Sequence, residues 1–437
     1  MFKDNMDAHR QKQELLVYWA DNLVGGLTSD GRSRNLKFQY DDKWLQEGFP
    51  PISFSLPTTD KIYDNVLDPA CNSFFNNLRP EGLFLEKICL YRRMSPDNIF
   101  SFLRRFGREC AGALSVVPPD FGETEPSTDY VDVTDKIAAE ISKPWAEQLD
   151  LLSAVGARLT VAGAQNKLSV LYKDGRFFVP DENSIAPTTH ILKTNNLGYA
   201  DLVHNEFFCL DLADSLGLPV GRAEVVHLGR QPVFLTERFD RVAVGDTITR
   251  RHQEDFCQAL GLDSSRKYEE DGGPGFEKSA SLLTNVKLDD FELDMTNFCK
   301  VIIFNYIIGN CDAHGKNFSL LYNLNLDKSL SVKLAPFYDI LSTVIYPNLS
   351  VDLSMKYGRA YDWQSIPGKK NIVLLCEDLK IAYEKFLTIF DDMKNSLEEK
   401  IKTIKAKHEY LFSRKQPYGK IAQQIKIGLN KLVSSLR

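Results

Sequence analysis

The sequence predicts an α+β protein made of two lobes, with a small α+β unit ahead of them and a second lobe that is mainly helical. Three observations point there. Short apolar runs of strand length, bounded by turn residues, recur through 15–118 and again through 168–236. Longer segments with helical spacing dominate after residue 250. The third is the polar run Gly309-Asn310-Cys311-Asp312-Ala313-His314-Gly315-Lys316-Asn317, fastened to the end of the apolar segment Phe298 to Ile308.

At 437 residues, 43 % hydrophobic and 26 % charged, the chain has enough apolar residues for two or three domains. The expected division is a polar extension over 1–14, an amino-terminal α+β domain over 15–118 and a connecting segment over 119–150. A small lobe over 151–240 and a large, helical lobe over 241–437 follow. The eight cysteines (Cys71, Cys89, Cys110, Cys209, Cys257, Cys299, Cys311 and Cys376) include no close pair of the zinc or redox kind, which is the usage of a reducing compartment. With no opening signal sequence and no bilayer-spanning apolar run, the expectation is a soluble, cytoplasmic protein with no membrane partner. The net charge of −6 argues against general affinity for nucleic acid. Lys394 to Arg437 nevertheless holds eleven Lys or Arg against three acids, about +8, leaving about −14 before it. Such a face either touches phosphates or is a solvated helix surface.

Leu15 to Trp19 and Leu23 to Leu27 read as a hairpin, and Asn35 to Tyr40 as a third strand. Leu83 to Tyr91 and Ile99 to Phe106 have helical spacing, and Ala113 to Val117 reads as a strand before Pro118-Pro119. Asp120 to Asp135 is acidic and reads as a connection. The second unit opens with Arg158-Leu159-Thr160-Val161-Ala162-Gly163-Ala164-Gln165-Asn166-Lys167, followed by strands at Leu168 to Tyr172 and Phe177 to Val179. A loop of small residues between strands lets backbone N–H groups approach phosphates, although one glycine also suits an ordinary tight hairpin.

Thr189 to Lys193 is an apolar strand ending in a lysine, and the helix Leu202 to Leu216, stopped by Gly217 and Pro219, carries Glu206 in its first turns. A strand lysine paired with a glutamate on the next helix is how kinases set a lysine on nucleotide phosphates; a surface salt bridge is the other reading. Strands at Ala223 to Leu228 and Pro232 to Thr236 lead to Glu237-Arg238-Phe239-Asp240-Arg241, the expected hinge. Helices are expected at Gln253 to Leu260, Phe276 to Leu283, Phe291 to Ile308, Leu379 to Phe390, Ser396 to Tyr410 and Ile421 to Leu436. Strands at Phe318 to Tyr322 and Ser331 to Leu334 precede Pro336-Phe337-Tyr338-Asp339.

Asp312 and Asn317 stand five positions apart, the separation of general base and metal ligand in the catalytic loop of protein kinases. Asp339, after the next strand pair, stands where kinases place a second metal-binding carboxylate; it equally suits the cap of a turn. Taken singly, these are weak signals. Their order is the argument: small-residue loop, strand lysine, helix glutamate, hinge, Asp with Asn five later, strand pair, Asp. The pattern alone sets a kinase-like phosphotransferase slightly ahead of a generic two-domain α+β protein.

At these residues the chain resembles the HipA serine/threonine kinases of bacterial toxin–antitoxin pairs. The matching words are Val161 to Gln165 with Lys167, Thr189 to Lys193, Glu237 to Arg241, His252-Gln253-Glu254-Asp255, Lys267-Tyr268 with Asp271-Gly272-Gly273-Pro274-Gly275, Asp312-Ala313-His314 with Lys316 to Ser319, and Pro336 to Asp339. Leu56-Pro57, Phe74 to Leu78 and Gly107 to Ala113 resemble the family's amino-terminal domain.

The resemblance implies a bilobal protein-kinase-like fold that uses ATP and magnesium. Lys193 would hold the α- and β-phosphates, Asp312 would be the base, and Asn317 and Asp339 would hold the metal. His314 and Lys316 would lie near the transferring phosphate, with Glu237 and Phe239 at adenine. Val161, Ala162, Gly163, Ala164, Gln165 and Lys167 would cradle the nucleotide. Thr160 stands where the family's self-phosphorylated serine falls, and threonine also offers a hydroxyl. The implied targets are aminoacyl-tRNA synthetases, chiefly the glutamyl enzyme, and the implied partner is a small DNA-binding antitoxin of the HipB type. DNA would be met only alongside it. A small-molecule phosphotransferase and a catalytically silent partner-binding or repressor protein are the competing classes.

Overall fold

The computed structural model describes residues 13–29, 35–66, 68–121, 127–143, 167–181, 186–195, 201–245, 247–408 and 417–436, with positions 148, 151, 155, 184 and 199. Thr160, Val161 to Gln165 and Asn166 lie outside the described residues, as does most of the expected polar extension.

Apolar alternation fixes the first sheet. Strands β1 Gln13–Trp19, β2 Asn22–Ser29 and β3 Leu36–Tyr40 form an antiparallel meander in which Leu15, Val17 and Trp19 share one buried face. Helix α1 Asp42–Gln46 follows, its first turn capped by the Asp41 side chain. Strand β4 Ile62–Asp64 pairs with β3. Then come α2 Ala70–Asn77, α3 Gly82–Arg92 and α4 Ile99–Phe106, and β5 Leu114–Val117 closes the other sheet edge against β1. Helix α2 was not expected, since eight residues that follow a proline carry little periodicity. Its Cys71, Phe74 and Phe75 are nonetheless buried. Helix α4 divides its faces: Phe100 and Leu103 enter the core shared with the helical lobe, while Phe102 and Phe106 enter the core of the second sheet.

The acidic segment expected to be a plain connection instead supplies β6 Tyr130–Asp132 and α5 Thr134–Ile141. Strand β6 pairs with the strand that ends at Pro180, so these residues are an edge of the second sheet rather than a tether. That sheet adds β7 Lys167–Lys173, β8 Arg176–Pro180, β9 His190–Thr194, the buried helix α6 Leu202–Ser215, then β10 Ala223–Leu228 and β11 Gln231–Glu237. Its order is β10-β11-β9-β7-β8-β6.

After the hairpin β12 Arg241–Val244 and β13 Thr247–Arg250, the stretch 253–260 departs from expectation. It is strand β14 His252–Asp255 and then the single turn α7 Phe256–Ala259, because Asp255 and Gln258 make a reciprocal capping box that starts the helix only at Phe256. Helix α8 Phe276–Asn285 leads to α9 Phe291–Ile308, which is buried nearly all round and ends at Gly309. Gly309 has φ +69°, and a Cβ there would lie 2.3 Å from Val344 Cγ2, so both conformation and space require glycine. Strands β15 Ser319–Leu324 and β16 Leu330–Leu334 extend β14 into a three-stranded sheet, and β17 Asp352–Tyr357 pairs with β18 Ala360–Asp362.

Three helices finish the chain: α10 Lys369–Asp378, α11 Tyr383–Lys407 and α12 Tyr418–Leu436. The separate helices expected at 379–390 and 396–410 are thus corrected. Lys380, with φ 56°, ends α10. Phe386, Phe390, Met393, Leu397 and Ile404 then keep one buried stripe through a single helix. No helix among the described residues is long and apolar enough to cross a membrane.

Candidate active site

Period-two alternation decides which side chains of the second sheet meet the cleft. Leu168 and Val170 of β7, Leu192 of β9, and Val233 and Leu235 of β11 enter the core. Lys167, Ser169, Lys193 and Phe234 therefore face the other way, into a cavity of about 190 Å³. The opposite wall is the loop after α9.

Lys193 is buried, with its Nζ 2.5 Å from Glu206 Oε1 and also bonded to Asp339 Oδ1. Glu206 sits on the fully packed face of α6, so the pair is an interior one and not a surface bridge. Burial works against the Lys193 charge, but Asp339 and Glu206 outweigh it and hold the ammonium above its ordinary range. Burial and the nearby Asp339 raise the Glu206 carboxyl against the pull of Lys193, while Lys193 and Lys167 overcome burial to hold Asp339 well below the carboxylate range. Asp339 itself has φ 54°, a left-handed conformation uncommon outside glycine and tolerated by Asp. Asn310 Nδ2 donates to its carbonyl at 3.3 Å. Lys167, directly across from Lys193 in the β7–β9 register, has no ion-pair partner among the described residues, and burial lowers its pKa.

The α9 loop is pinned from within. Asp312 N donates to Asn310 Oδ1 at 3.2 Å, and its carbonyl accepts from His314 N and Asn317 Nδ2, each at 2.9 Å. Its side chain is exposed and accepts from the Tyr268 hydroxyl at 2.8 Å. His314 is buried, its ring edge-on to Tyr268, and burial drives its pKa down to about 4, so the imidazole is neutral. Lys316 lines the cavity, but its Nζ is already bound by Asn77 Oδ1 at 2.5 Å, Asp255 Oδ2 at 3.0 Å and Glu81 Oε1 at 3.2 Å. The lysine expected at the transferring phosphate is thus tied to the amino-terminal helices.

At the hinge, Glu237 is exposed and Phe239 stacks on Tyr338 with ring centroids 5.8 Å apart; both line the cavity. Their neighbours are buried. Arg238 and Arg241 are held between Glu109 and Asp240, and Asp240 Oδ2 also accepts from Gly112 N at 2.7 Å. Asp312, Asn317, Lys193, Glu206 and Asp339 therefore line one cavity, while residues 160–165 lie outside the described residues. Asn77, Glu81 and Ala111 also line it; Asn77 and Ala111 stood inside quoted words with no assigned role, and nothing around Glu81 marks it. Tyr268 stood inside a quoted word but carried no assigned role.

A lysine–glutamate pair buried behind an Asp-to-Asn loop and facing a second aspartate is the architecture of a kinase cleft. The family to which this cleft belongs is defined by sequence. Residues 15–117 match the HipA N-terminal domain, and residues 159–401 match the HipA-like C-terminal domain. The serine/threonine-protein kinase toxin HipA of Shewanella oneidensis is 30% identical over 367 residues, 80% of this chain and 80% of that protein. Y4mE of Sinorhizobium fredii is 35% identical over 351 residues, 79% of this chain and 81% of that one. Among solved structures, the S. oneidensis HipA, HipB and operator DNA complex matches with a TM-score of 0.78 and 26% identity, covering 95% of this chain and 96% of that one. The chain belongs to the HipA-like family of serine/threonine kinase toxins, and its fold is the α+β, bilobal one expected.

Proposed function

We propose that this chain is a protein kinase that moves the γ-phosphoryl group of ATP to a serine or threonine hydroxyl of a protein. The observation that supports it most is the buried Lys193–Glu206–Asp339 cluster lining one cavity with Asp312 and Asn317. Asn317 spends its Nδ2 on the Asp312 carbonyl, which leaves Oδ1 for a hard cation, and Asp339 offers a carboxylate in the same cavity. So sparse a set suits magnesium, which keeps water and phosphate oxygens in its shell. When bound, the ion offsets phosphate charge.

In this reading Lys193 and Lys167 attract the phosphates, Val161 to Gln165 close over them, and Glu237 and Phe239 meet adenine. Asp312 accepts the hydroxyl proton as the oxygen bonds to the γ-phosphorus and the bond to the bridging oxygen breaks, releasing ADP. His314 and Lys316, buried and paired as described, hold the loop that presents Asp312 and Asn317.

The target proposed is an aminoacyl-tRNA synthetase, the glutamyl enzyme first, whose modification would stop charging and so translation. Thr160 is the proposed self-phosphorylation site: about −1.5 to −2 charges beside the triphosphate would expel the loop and switch the kinase off. A HipB-type antitoxin is the proposed partner, in line with the complex formed by the Shewanella relative. DNA would be met alongside it.

The test is transfer of label from radioactive ATP to a bacterial lysate resolved by mass. The wild type is expected to label protein. Asp312→Ala should label about 100-fold less or lower still while melting normally, because Asp312 is exposed in a loop and contributes to the transition state. Wild-type labelling by the variant overturns the assignment of the base, and label confined to small molecules overturns the protein target.

A further inference from the structure

We propose that Tyr268 is a positioning residue for phosphotransfer, its hydroxyl fixing one oxygen of the Asp312 carboxylate so that the other is presented to the incoming hydroxyl. This rests on the reading of Asp312 as the base. The loop's own bonds go to the backbone of Asp312 and leave its carboxylate free to rotate. Among the described residues the hydrogen bond to that carboxylate is the one from Tyr268, 2.8 Å long to Oδ1. It comes from outside the loop, from the segment that separates α7 and α8.

That segment is built onto the loop. Gly315 N donates to Lys267 O at 3.1 Å, and a Cβ on Gly315 would lie 2.4 Å from Pro274 Cγ, so the two chains touch closely on either side of Tyr268. Gly273 N donates to Tyr268 O at 2.8 Å and closes the turn that carries it. The ring is held edge-on to His314 at 5.2 Å, with the Lys267 ammonium 5.3 Å from its centroid. A phenol held by these contacts delivers its hydroxyl to one place. Burial and the Asp312 charge push the phenol's pKa well above its ordinary value, so it stays a donor across the working range.

A base with a free carboxylate samples orientations that do not face the substrate, and removing those restores rate without changing what binds. A hydrogen bond to a charged acceptor of this kind corresponds to about a 10- to 100-fold effect. The experiment is Tyr268→Phe in the full-length chain, which keeps the ring and its contacts. It is measured with radiolabelled ATP and the lysate protein that the wild type labels, alone and in an Asp312→Ala background. The expected result is a fall in kcat of about 10- to 100-fold with both KM values within about twofold. In the Asp312→Ala background the second substitution should cost nothing further. Unchanged magnesium-dependent ATP affinity reports that the variant is folded. An unchanged kcat, a loss confined to KM, or an equal loss without Asp312 overturns the inference and leaves the kinase reading intact. Full activity of Asp312→Ala on its own removes both.

Discussion

Asp339 carries two demands at once. It faces Lys193 and Lys167, and it holds a left-handed backbone conformation that a branched or bulky residue resists. Asp339→Asn is therefore the informative change, since asparagine tolerates that conformation while the charge is lost. Phosphotransfer is expected to fall at least about 100-fold, and nucleotide affinity should lose its magnesium dependence. Calorimetric titration of ATP with and without magnesium reads this, and an unchanged magnesium effect would remove Asp339 from the proposed metal site. Lys316 teaches the complementary lesson. Burial opposes its charge, but Asp255 and Glu81 outweigh that and hold its pKa up, so the ammonium is matched inside the fold before any phosphate arrives.

At the scale of elements, β14 joins the helical lobe to the amino-terminal unit through a buried carboxyl. Glu254 accepts from Ser53 Oγ at 2.5 Å, from Phe54 N at 3.0 Å and from the Tyr322 hydroxyl. Burial raises its pKa from 4.5 to about 7 in spite of those donors. Between these two values the folded chain keeps a proton that the unfolded chain has released. The stabilisation from this group is therefore complete below the lower value and lost as pH rises through the upper one. Glu254→Gln removes the titration. The variant should gain stability relative to wild type by roughly 3 kcal/mol between about pH 4.5 and pH 8. Denaturant midpoints at the two ends test this, and a constant difference would show that Glu254 is ionised throughout.

Across the whole molecule, the amino-terminal unit is braced into the cleft rather than appended to it. Asn77 and Glu81 hold Lys316 of the loop, Ser53 and Phe54 hold β14, and Glu109 lies between Arg238 and Arg241 of the hinge. Burial raises the Glu109 carboxyl, but the two guanidiniums overcome it and hold it below its ordinary value. Glu109→Ala would leave two buried guanidiniums to share the one carboxylate of Asp240 and should destabilise the fold by about 3–5 kcal/mol. Guanidinium unfolding should show a single, earlier transition for the whole chain. A variant as stable as wild type would mean that Asp240 alone satisfies both arginines. The basic carboxy-terminal segment is more modest than its net charge suggests. Lys394 pairs with Asp391, Lys402 with Glu398 and Lys407 with Asp211, and Lys431 caps the Trp363 ring.

What the sequence determined by itself was local and ordered. Short apolar runs bounded by turn residues located β7, β9 and β11, the Gly217 and Pro219 stop marked the end of α6, helical spacing located α9, and the five-residue step from Asp312 to Asn317 lies within one loop. The family, too, could be recognised from words a few residues long. It did not reveal short elements whose stability comes from packing. Helix α2 and strand β6 carry too few residues for a periodic signal, and the strand-to-helix change at Asp255 depends on a cap that a periodicity count does not register. Nor did it reveal contacts between distant residues. The bond from Tyr268 to Asp312 spans 44 positions, and that from Lys316 to Asn77 spans 239. Side-chain type sets what each of these groups can donate or accept, but which partner it meets is decided by packing of segments far apart in the chain. The tertiary structure alone placed an amino-terminal helix against the loop that carries Asp312 and Asn317.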